Sequence, residues 1–210
     1  MTQSYSKECY HTLLTQKVLG ELKKRNMEAF YCDTKEDALK KVLELIPAGS
    51  TVSCGGSATL HEIGMHAALK NGDYNFLNPD DAQGGAAKDV AAHQALGADY
   101  FLMSANAIAA TGELINIDGY GNRVAALIFG PKNVIVIAGL NKIVPDLDSA
   151  IHRARNYAAP LTLTIFKQDY ASFEELSSVA EASCSQTVIT AMSMTKDRIK
   201  VILVGENLGF

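Results

Sequence analysis

Residues 104–123, SANAIAATGELINIDGYGNR, hold the densest group of side chains in the chain that could carry chemistry. Glu113 and Asp118 are the candidate catalytic residues, because a partly buried carboxylate near a reacting proton can act as an acid or a base. Arg123 is a candidate substrate-binding residue, since a guanidinium can hold a carboxylate or phosphate through two parallel hydrogen bonds. Asp118 and Arg123 could equally pair only with each other. We interpret the segment as the wall of a cleft, without assigning its chemistry to one residue.

Amide side chains in the same segment extend the candidate set. Asn106 and Asn116 stand at the ends of apolar runs, where turn propensity does not account for an amide. Asn122 is also typical of a turn. We expect all three to contact a substrate, because buried amides at strand ends are hydrogen-bonding groups that a cleft can use.

A glycine-rich segment at 53–59, SCGGSAT, joins a predicted strand to a predicted helix. Glycines let the backbone approach a ligand closely, and the amides at a helix start favour an anion. Gly55, Gly56, Ser57 and Thr59 are therefore candidate substrate-binding residues. The alternative is a tight turn in which Ser57 or Thr59 only caps the helix. The segment has neither the P-loop lysine nor GxGxxG spacing, so it does not specify a nucleotide.

Further candidates follow the most apolar segment, NVIVIA at 133–138. Asn141 and Lys142 come directly after it, and Lys142 could neutralise an anionic ligand or simply be solvated. Cys54 could be a nucleophile, but a buried structural cysteine is the favoured interpretation. His61 and His66 are five positions apart and do not form an i, i+4 ligand pair, so no metal site is indicated.

Strand-like and helix-like segments alternate along the chain. We predict strands at 28–32, 51–53, 74–78, 100–103, 124–129 and 133–138, and helices at 13–25, 35–46, from the glycine-rich loop to 69, 88–96 and 145–157. The C-terminal part is expected to add a helix near 173–180 and either a hairpin or two strands at 188–192 and 199–204. This alternation predicts a three-layer α/β fold with a mostly parallel sheet, helices on both faces and a small C-terminal addition. Because ligands bind at the carboxyl ends of parallel strands, segments 53–59, 104–123 and 139–142 are expected to meet in one cavity.

Composition limits the classes of function. The chain is 48% apolar and 20% charged, and its length fits a single domain, 1–210, with an N-terminal helix within 1–26. A net charge of −4 without a Lys/Arg block argues against nucleic-acid binding. No apolar stretch suits a secretory signal or a membrane span, and the four cysteines form no CxxC pair. We expect a cytoplasmic protein without a membrane or nucleic-acid partner.

Four segments in this order and spacing resemble the LUD (lactate utilization) domain family. They are SCGGSATLHEIG at 53–64, the long run at 98–144 from ADYFLM to NKIV, AIHRARNYAAP at 150–160 and IKVILVGENLGF at 199–210. The resemblance implies a fold related to the ribose-5-phosphate isomerase, glucosamine-6-phosphate deaminase and CoA-transferase group. It also implies an association with bacterial oxidation of L-lactate to pyruvate, in which such proteins work beside iron–sulfur subunits.

The chain departs from its relatives at two places. In sugar-phosphate isomerases of the wider group an aspartate stands where this chain has Asn106. An amide can hold a substrate hydroxyl but cannot transfer a proton, so Glu113 or Asp118 would have to supply a reacting carboxylate. Residues 161–198 diverge as well, because many LUD relatives carry a cysteine cluster there and this chain has Cys184 alone.

Two hypotheses of function follow. The first is binding of a small anionic metabolite, a hydroxy or keto acid, a sugar phosphate or an acyl-CoA, at the strand-end loops. The second is a non-catalytic accessory or protein-binding subunit of a lactate-oxidising complex, with iron–sulfur subunits as partners. Both are compatible with a homo-oligomer, and no motif specifies a cofactor.

Overall fold

The computed structural model describes the backbone of residues 3–210 and the side chains from residue 8 onward. The strands are β1 (Glu28–Cys32), β2 (Thr51–Cys54), β3 (Asn75–Leu77), β4 (Tyr100–Met103), β5 (Ala107–Ala109), β6 (Leu114–Asp118), β7 (Asn133–Gly139), β8 (Ile143–Val144), β9 (Gln186–Thr190) and β10 (Ile199–Val204).

Helices follow most strands. They are α1 (Gln3–Lys24), α2 (Lys35–Leu45), α3 (Ala58–Glu62), α4 (Met65–Asn71), α5 (Gly85–Ala95), α6 (Asn122–Phe129), α7 (Leu147–Arg153), α8 (Ala159–Phe166) and α9 (Phe173–Ser183). A π-helical turn, Ala154–Ala158, joins α7 to α8, and a 3-10 turn, Leu140–Lys142, follows β7. The N-terminal helix predicted within 1–26 is α1, and residues 1 and 2 lie outside the described residues.

The larger sheet has the strand order β1-β10-β7-β4-β2-β3, and every pairing in it is parallel. Side chains of β7 alternate between two apolar cores, as the period of a strand requires. Val134 and Val136 face the core that contains α1 and α6, whereas Ile135 and Ile137 face the core that contains α2 and α4. Helices therefore cover both faces, which confirms the predicted three-layer α/β class.

A smaller sheet has the strand order β8-β5-β6-β9. In sequence, β5 follows the carboxyl end of β4, and β8 follows that of β7. Strands β5 and β6 form an antiparallel hairpin, and β9 pairs antiparallel with β6. Ala107 and Ala109 of β5 pack with Ala150 and Ala154 in a third apolar core. The small addition predicted at the C-terminus is thus a sheet built from segments that are distant in sequence. The last strand, β10, lies inside the larger sheet instead.

The strand predicted at 124–129 is wrong, because this segment is helix α6. A short apolar run does not distinguish a buried strand from a buried helix by its pattern alone. Gly121, with φ of 88°, turns the chain before the helix, and the Asp118 carboxylate accepts a hydrogen bond from the Val124 amide at 3.0 Å. Within α6, Val124 and Leu127 are buried and Phe129 is exposed, which is the spacing of one helix face.

Two other local predictions are corrected. The helix predicted to run to residue 69 is interrupted at Gly64, whose φ is 74°, so α3 is only five residues long. Strands β9 and β10 belong to different sheets, which excludes the hairpin alternative for the C-terminal strands. None of the helices within residues 3–210 combines the length and the apolar character needed to cross a bilayer.

Candidate functional site

The three predicted strand-end segments do meet, at a cavity of about 340 Å³. The cavity is lined by residues of all three segments, by Phe210 and by residues of α8. The lining residues are Gly56, Ser57, Ala58, His61, Asp80, Ser104, Ala105, Asn106, Ile117, Asp118, Gly119, Arg123, Lys142, Ala159, Thr162, Leu163, Ile165, Phe166, Ser183 and Phe210. Of the site residues predicted from sequence, the cavity therefore brings together Gly56, Ser57, Asn106, Asp118, Arg123 and Lys142.

Arg123 uses all of its hydrogen-bond donors within the protein. Its Nε donates to Asp118 Oδ1 at 3.2 Å, and its Nη1 donates to Asn116 Oδ1 at 2.6 Å and to the Ser104 carbonyl at 3.2 Å. Its Nη2 donates to Asn106 Oδ1 at 3.0 Å and to the Ile117 carbonyl at 2.7 Å. A guanidinium has five N–H groups, so none is left for a ligand.

The Arg123 network fixes the shape of the site. It joins α6 to both strands of the hairpin and to the end of β4, and it holds the Asp118 carboxylate in an ion pair whose side chains are 13% and 11% exposed. Of the alternatives left by the sequence, the pairing of Asp118 with Arg123 is observed. The charge of Arg123 still acts on the cavity, although its hydrogen bonds do not.

Gly55 has a packing role beside this arginine. A Cβ atom at Gly55 would lie 2.9 Å from both Cγ and Cδ of Arg123, closer than side-chain atoms tolerate. Gly56 has open space around it and lies on the cavity wall. Ser57 is the N-cap of α3, with its side chain accepting from the Leu60 amide at 3.4 Å. The capping interpretation of Ser57 is thus observed, and its place on the cavity wall is observed as well.

Lys142 is an almost fully buried basic residue on the cavity wall. It is 4% exposed, which contradicts the alternative of a solvated lysine. Its Nζ donates to Thr59 Oγ1 at 3.0 Å and to Ser104 Oγ at 2.9 Å. Among residues 8–210 no carboxylate lies within ion-pair distance of Lys142, so this buried lysine has hydroxyl partners only.

The surroundings of Lys142 disfavour its charged form. Burial is the main cause, and the positive charges of Arg153 and Arg123 add to it, while Glu62 acts weakly in the opposite direction. Together they lower the pKa of Lys142 to about 7. Near neutral pH both the ammonium and the neutral amine are therefore populated.

Thr59, Asn116 and Asn141 contact residues of the cavity wall or of the C-terminal segment but do not line the cavity themselves. Thr59 is fully buried and touches Lys142, and Asn116 is fully buried behind Arg123, with its Nδ2 atom lacking a hydrogen-bond partner within the described structure. Asn141 fixes the C-terminal segment, because it donates to the Gly209 carbonyl at 3.2 Å and accepts from the Leu208 amide at 3.1 Å. These residues position the wall and do not line it.

Glu113 and Asn122 lie outside the cavity. Glu113 is in the turn of the hairpin, where Oε1 accepts from Arg25 and Oε2 accepts from the Thr111 hydroxyl. Asn122 opens α6 and lines a different cavity between α5 and α6. The catalytic role predicted for Glu113 stays a prediction that its position does not support, and of the two predicted catalytic carboxylates only Asp118 lines the cavity.

Sequence reasoning missed several residues of the wall. Ser104 is buried and binds Lys142, and His61 and Phe210 line the cavity from α3 and from the chain end. Helix α8 supplies Leu163 and Phe166, in a part of the chain where no helix was predicted. No local signal could have placed it there, because its position depends on the π-helical turn and on packing against α9.

Cys54, which is buried, contacts His66, which is partly buried, and neither residue lines the cavity. The Cys54 thiol lies 3.5 Å from His66 Nε2, and burial raises the pKa of Cys54 to about 12. A thiol with a raised pKa is a poor nucleophile, in agreement with the structural interpretation. The break in the helix at Gly64 lets the His61 and His66 rings stack at 4.1 Å, a contact that the five-residue spacing did not predict.

The fold and the cavity define a three-layer α/β protein with a ligand-sized pocket at the carboxyl ends of its strands. The family model of the LUD domain matches residues 15–204, and the chain belongs to the LUD domain family. Family membership supports a function related to lactate utilization. A search of curated proteins finds no significant match.

Among solved structures, the chain is similar to a DUF162 family protein from Deinococcus radiodurans. The identity is 12%, the TM-score is 0.55, and the alignment covers 93% of this chain and 98% of the other. Ribose 5-phosphate isomerase A from Methanocaldococcus jannaschii aligns at 17% identity and a TM-score of 0.34 over 52% of this chain and 53% of its own. The eIF2B delta protein from Chaetomium thermophilum aligns at 17% identity and a TM-score of 0.34 over 73% and 63%. Only the first of these similarities is high enough to support the fold.

Proposed function

We propose that this LUD-domain protein binds a small monocarboxylate, a hydroxy or keto acid, in the strand-end cavity. One observation carries the proposal: Lys142 lines the cavity, is 4% exposed and has no carboxylate partner among the described residues. A buried cation without a counter-ion is costly, so a ligand that supplies the negative charge would be bound favourably.

A second buried cation strengthens the positive field. Arg153 is 9% exposed and donates to the backbone carbonyls of Asn141 and Asn106, and no side-chain carboxylate pairs with it within residues 8–210. Asp118 pairs with Arg123, whereas neither Lys142 nor Arg153 has an ion-pair partner among residues 8–210; Asp80 on the cavity wall and Glu62 near Lys142 offset only part of their charge. The field therefore favours an anion.

The size of the cavity separates the ligand classes that the sequence left open. About 340 Å³ is at the lower end of the range of small-molecule pockets. A three- to five-carbon acid fits within it, whereas most of an acyl-CoA would remain outside. Leu163 and Phe166 add apolar lining that suits an alkyl group, and Ser57, Ser104 and Lys142 add polar lining to the same cavity. A sugar phosphate would leave that apolar lining without a partner.

The test is ligand binding measured by calorimetry and by the shift of the melting temperature. Probes are L-lactate and pyruvate, with ribose 5-phosphate and coenzyme A as competing classes. We expect Lys142→Met to weaken binding of the acids by about 10- to 100-fold, the effect of losing a charge-assisted hydrogen bond of roughly 1.5–3 kcal/mol. The matched control is Lys132→Met, because Lys132 is exposed and lies just before β7, at the opposite end of that strand.

Equal binding of L-lactate by the wild type and Lys142→Met would contradict the proposal, as would no binding of either acid. Arg123→Ala is a poor test, because it removes the hydrogen bonds that shape the cavity. Its effect on binding would not separate a ligand contact from a structural one.

The accessory-subunit hypothesis draws on a different surface. Phe129 and Met194 are both 92% exposed and line the same surface groove, and contiguous exposed apolar side chains are typical of protein contacts. Turnover of L-lactate or pyruvate by the purified chain alone would exclude a purely accessory role. Stable co-elution with iron–sulfur subunits, lost in Phe129→Ser, together with an inert chain, would favour it.

A further inference from the structure

We infer that Lys142 captures the carbonyl group of a keto acid as a covalent imine. The inference rests on the proposed function and deepens it, because it selects keto acids over hydroxy acids as the reactive ligands of the same cavity. Three observations carry it: the position of Lys142 on the cavity wall, its two hydroxyl partners, and the lack of any carboxylate within ion-pair distance of it in the described residues.

The two hydroxyl groups orient the nitrogen. Thr59 Oγ1 lies 3.4 Å from the Leu208 carbonyl, to which it can donate, and so accepts from Nζ of Lys142. Ser104 Oγ accepts the second N–H at 2.9 Å. A neutral amine has two N–H groups and one lone pair, so both hydrogens are held and the lone pair is left without a protein partner. Lys142 lines the cavity, where an electrophilic carbon can meet this lone pair.

The environment keeps the amine reactive. Burial, Arg153 and Arg123 lower the pKa of Lys142 to about 7, so a large fraction is neutral at physiological pH. A desolvated lysine near other cations is the usual setting of an amine nucleophile. A lysine paired with a carboxylate would instead be held in its charged form.

The reaction balances without a further reagent. Nζ forms a bond to the carbonyl carbon, the carbonyl oxygen takes a proton and one N–H proton is lost, which gives a carbinolamine. Loss of the hydroxyl group with a second proton as water then leaves a C=N bond. His61 lines the same cavity, and an imidazole can carry the proton that the departing water requires.

The experiment is reductive trapping. The whole chain is incubated with pyruvate or glyoxylate and sodium cyanoborohydride, and the intact mass is measured, followed by peptide mapping. We expect one reduced adduct per chain, located on Lys142, in the wild type and in Lys132→Arg. Lys142→Arg keeps a cation of similar reach but cannot form an imine, so we expect loss of the adduct at this position.

Binding of L-lactate, which has no ketone or aldehyde carbonyl and cannot form an imine, separates the two proposals. Adducts confined to exposed lysines, or equal adduct yields in the wild type and Lys142→Arg, would overturn the proposed imine at Lys142. If lactate still bound, the proposed function would remain intact. Failure to bind lactate or pyruvate and failure to trap would overturn both. Melting curves of each variant, recorded in parallel, show that a lost adduct does not come from lost folding.

Discussion

At Lys142 the protein holds an ionisable amine in an almost fully buried position on the cavity wall. The residue is 4% exposed, and its two hydroxyl partners are neutral. Other interactions of the fold must offset the free energy lost by burying the charged form of this lysine, and the proposed binding of an anion would use that charge. Arg123 is a contrasting case, since its charge is balanced by Asp118 and its donors are all used.

Replacing Lys142 by methionine is therefore expected to stabilise the ligand-free protein. The gain should be on the order of 1–4 kcal/mol, as when a buried ion is replaced by an apolar side chain of similar size. The groups that face Lys142 are Arg123 of α6, Arg153 of α7 and Glu62 of α3.

The pH dependence of this gain has a definite sign. The unfolded lysine keeps its usual pKa of 10.5, above the folded value of about 7, so the burial penalty is largest below pH 7 and falls as pH rises toward 10.5. Urea unfolding of the wild type and Lys142→Met at about pH 6 and about pH 9 measures it. A stability difference that grows between these two pH values would contradict the low pKa.

At the scale of elements, the site depends on the sharp connection between β6 and α6. Gly121 has φ of 88°, in the left-handed region that favours glycine, and it directs the chain so that Asp118 caps α6 and Arg123 turns back toward the hairpin. A Cβ at this position would still have space, since its nearest neighbour is Gln186 at 3.4 Å. The constraint is thus one of backbone conformation.

Gly121→Ala should lower the free energy of unfolding by about 1–2 kcal/mol, the cost of a left-handed alanine. Gly121→Asn should recover part of the loss, because asparagine adopts this conformation more readily. The matched control is Gly20→Ala, where nothing lies within 4 Å and the backbone is helical, so we expect a gain of about 0.4–1 kcal/mol. Equal effects of the two alanine substitutions in chemical denaturation would contradict this explanation.

At the scale of the whole molecule, Arg25 joins the end of α1 to the smaller sheet. Its guanidinium donates to the Thr111 carbonyl at 2.8 Å, to the Ala191 carbonyl at 2.6 Å and to Glu113 Oε1 at 2.5 Å. The partners are 86, 166 and 88 positions away in the chain, so the contact holds the helix layer, the hairpin turn and the segment after β9 together.

Glu113→Ala should therefore lower the free energy of unfolding by about 1–3 kcal/mol and leave affinity for pyruvate unchanged, because it removes one partner of a half-buried charged hydrogen bond. Glu44→Ala serves as the control, since the Lys41–Glu44 pair is exposed and should contribute less than about 0.5 kcal/mol. Loss of turnover without loss of stability would instead assign Glu113 the catalytic role that the sequence indicated.

Much of the fold could be predicted from local pattern. Strand β1 has the bounds predicted for it, Glu28–Cys32, and β7 was evident because it is apolar throughout and is covered on both faces. The convergence of the glycine-rich loop, the polar segment and Lys142 followed from a general property of parallel sheets. The helix at 122–129 could not be predicted, because its apolar run is too short to reveal a period.

The sequence by itself determined the layers, the family and the edge of the sheet where the cavity lies, since these depend on patterns that repeat over neighbouring residues. Only the tertiary structure decided which charges remain available to a ligand. Arg123 is fully bonded, and Lys142 is buried against Thr59, which is 83 positions away in the chain. Hydrogen-bond partners at such separations are set by how the elements pack, and no local spacing encodes them.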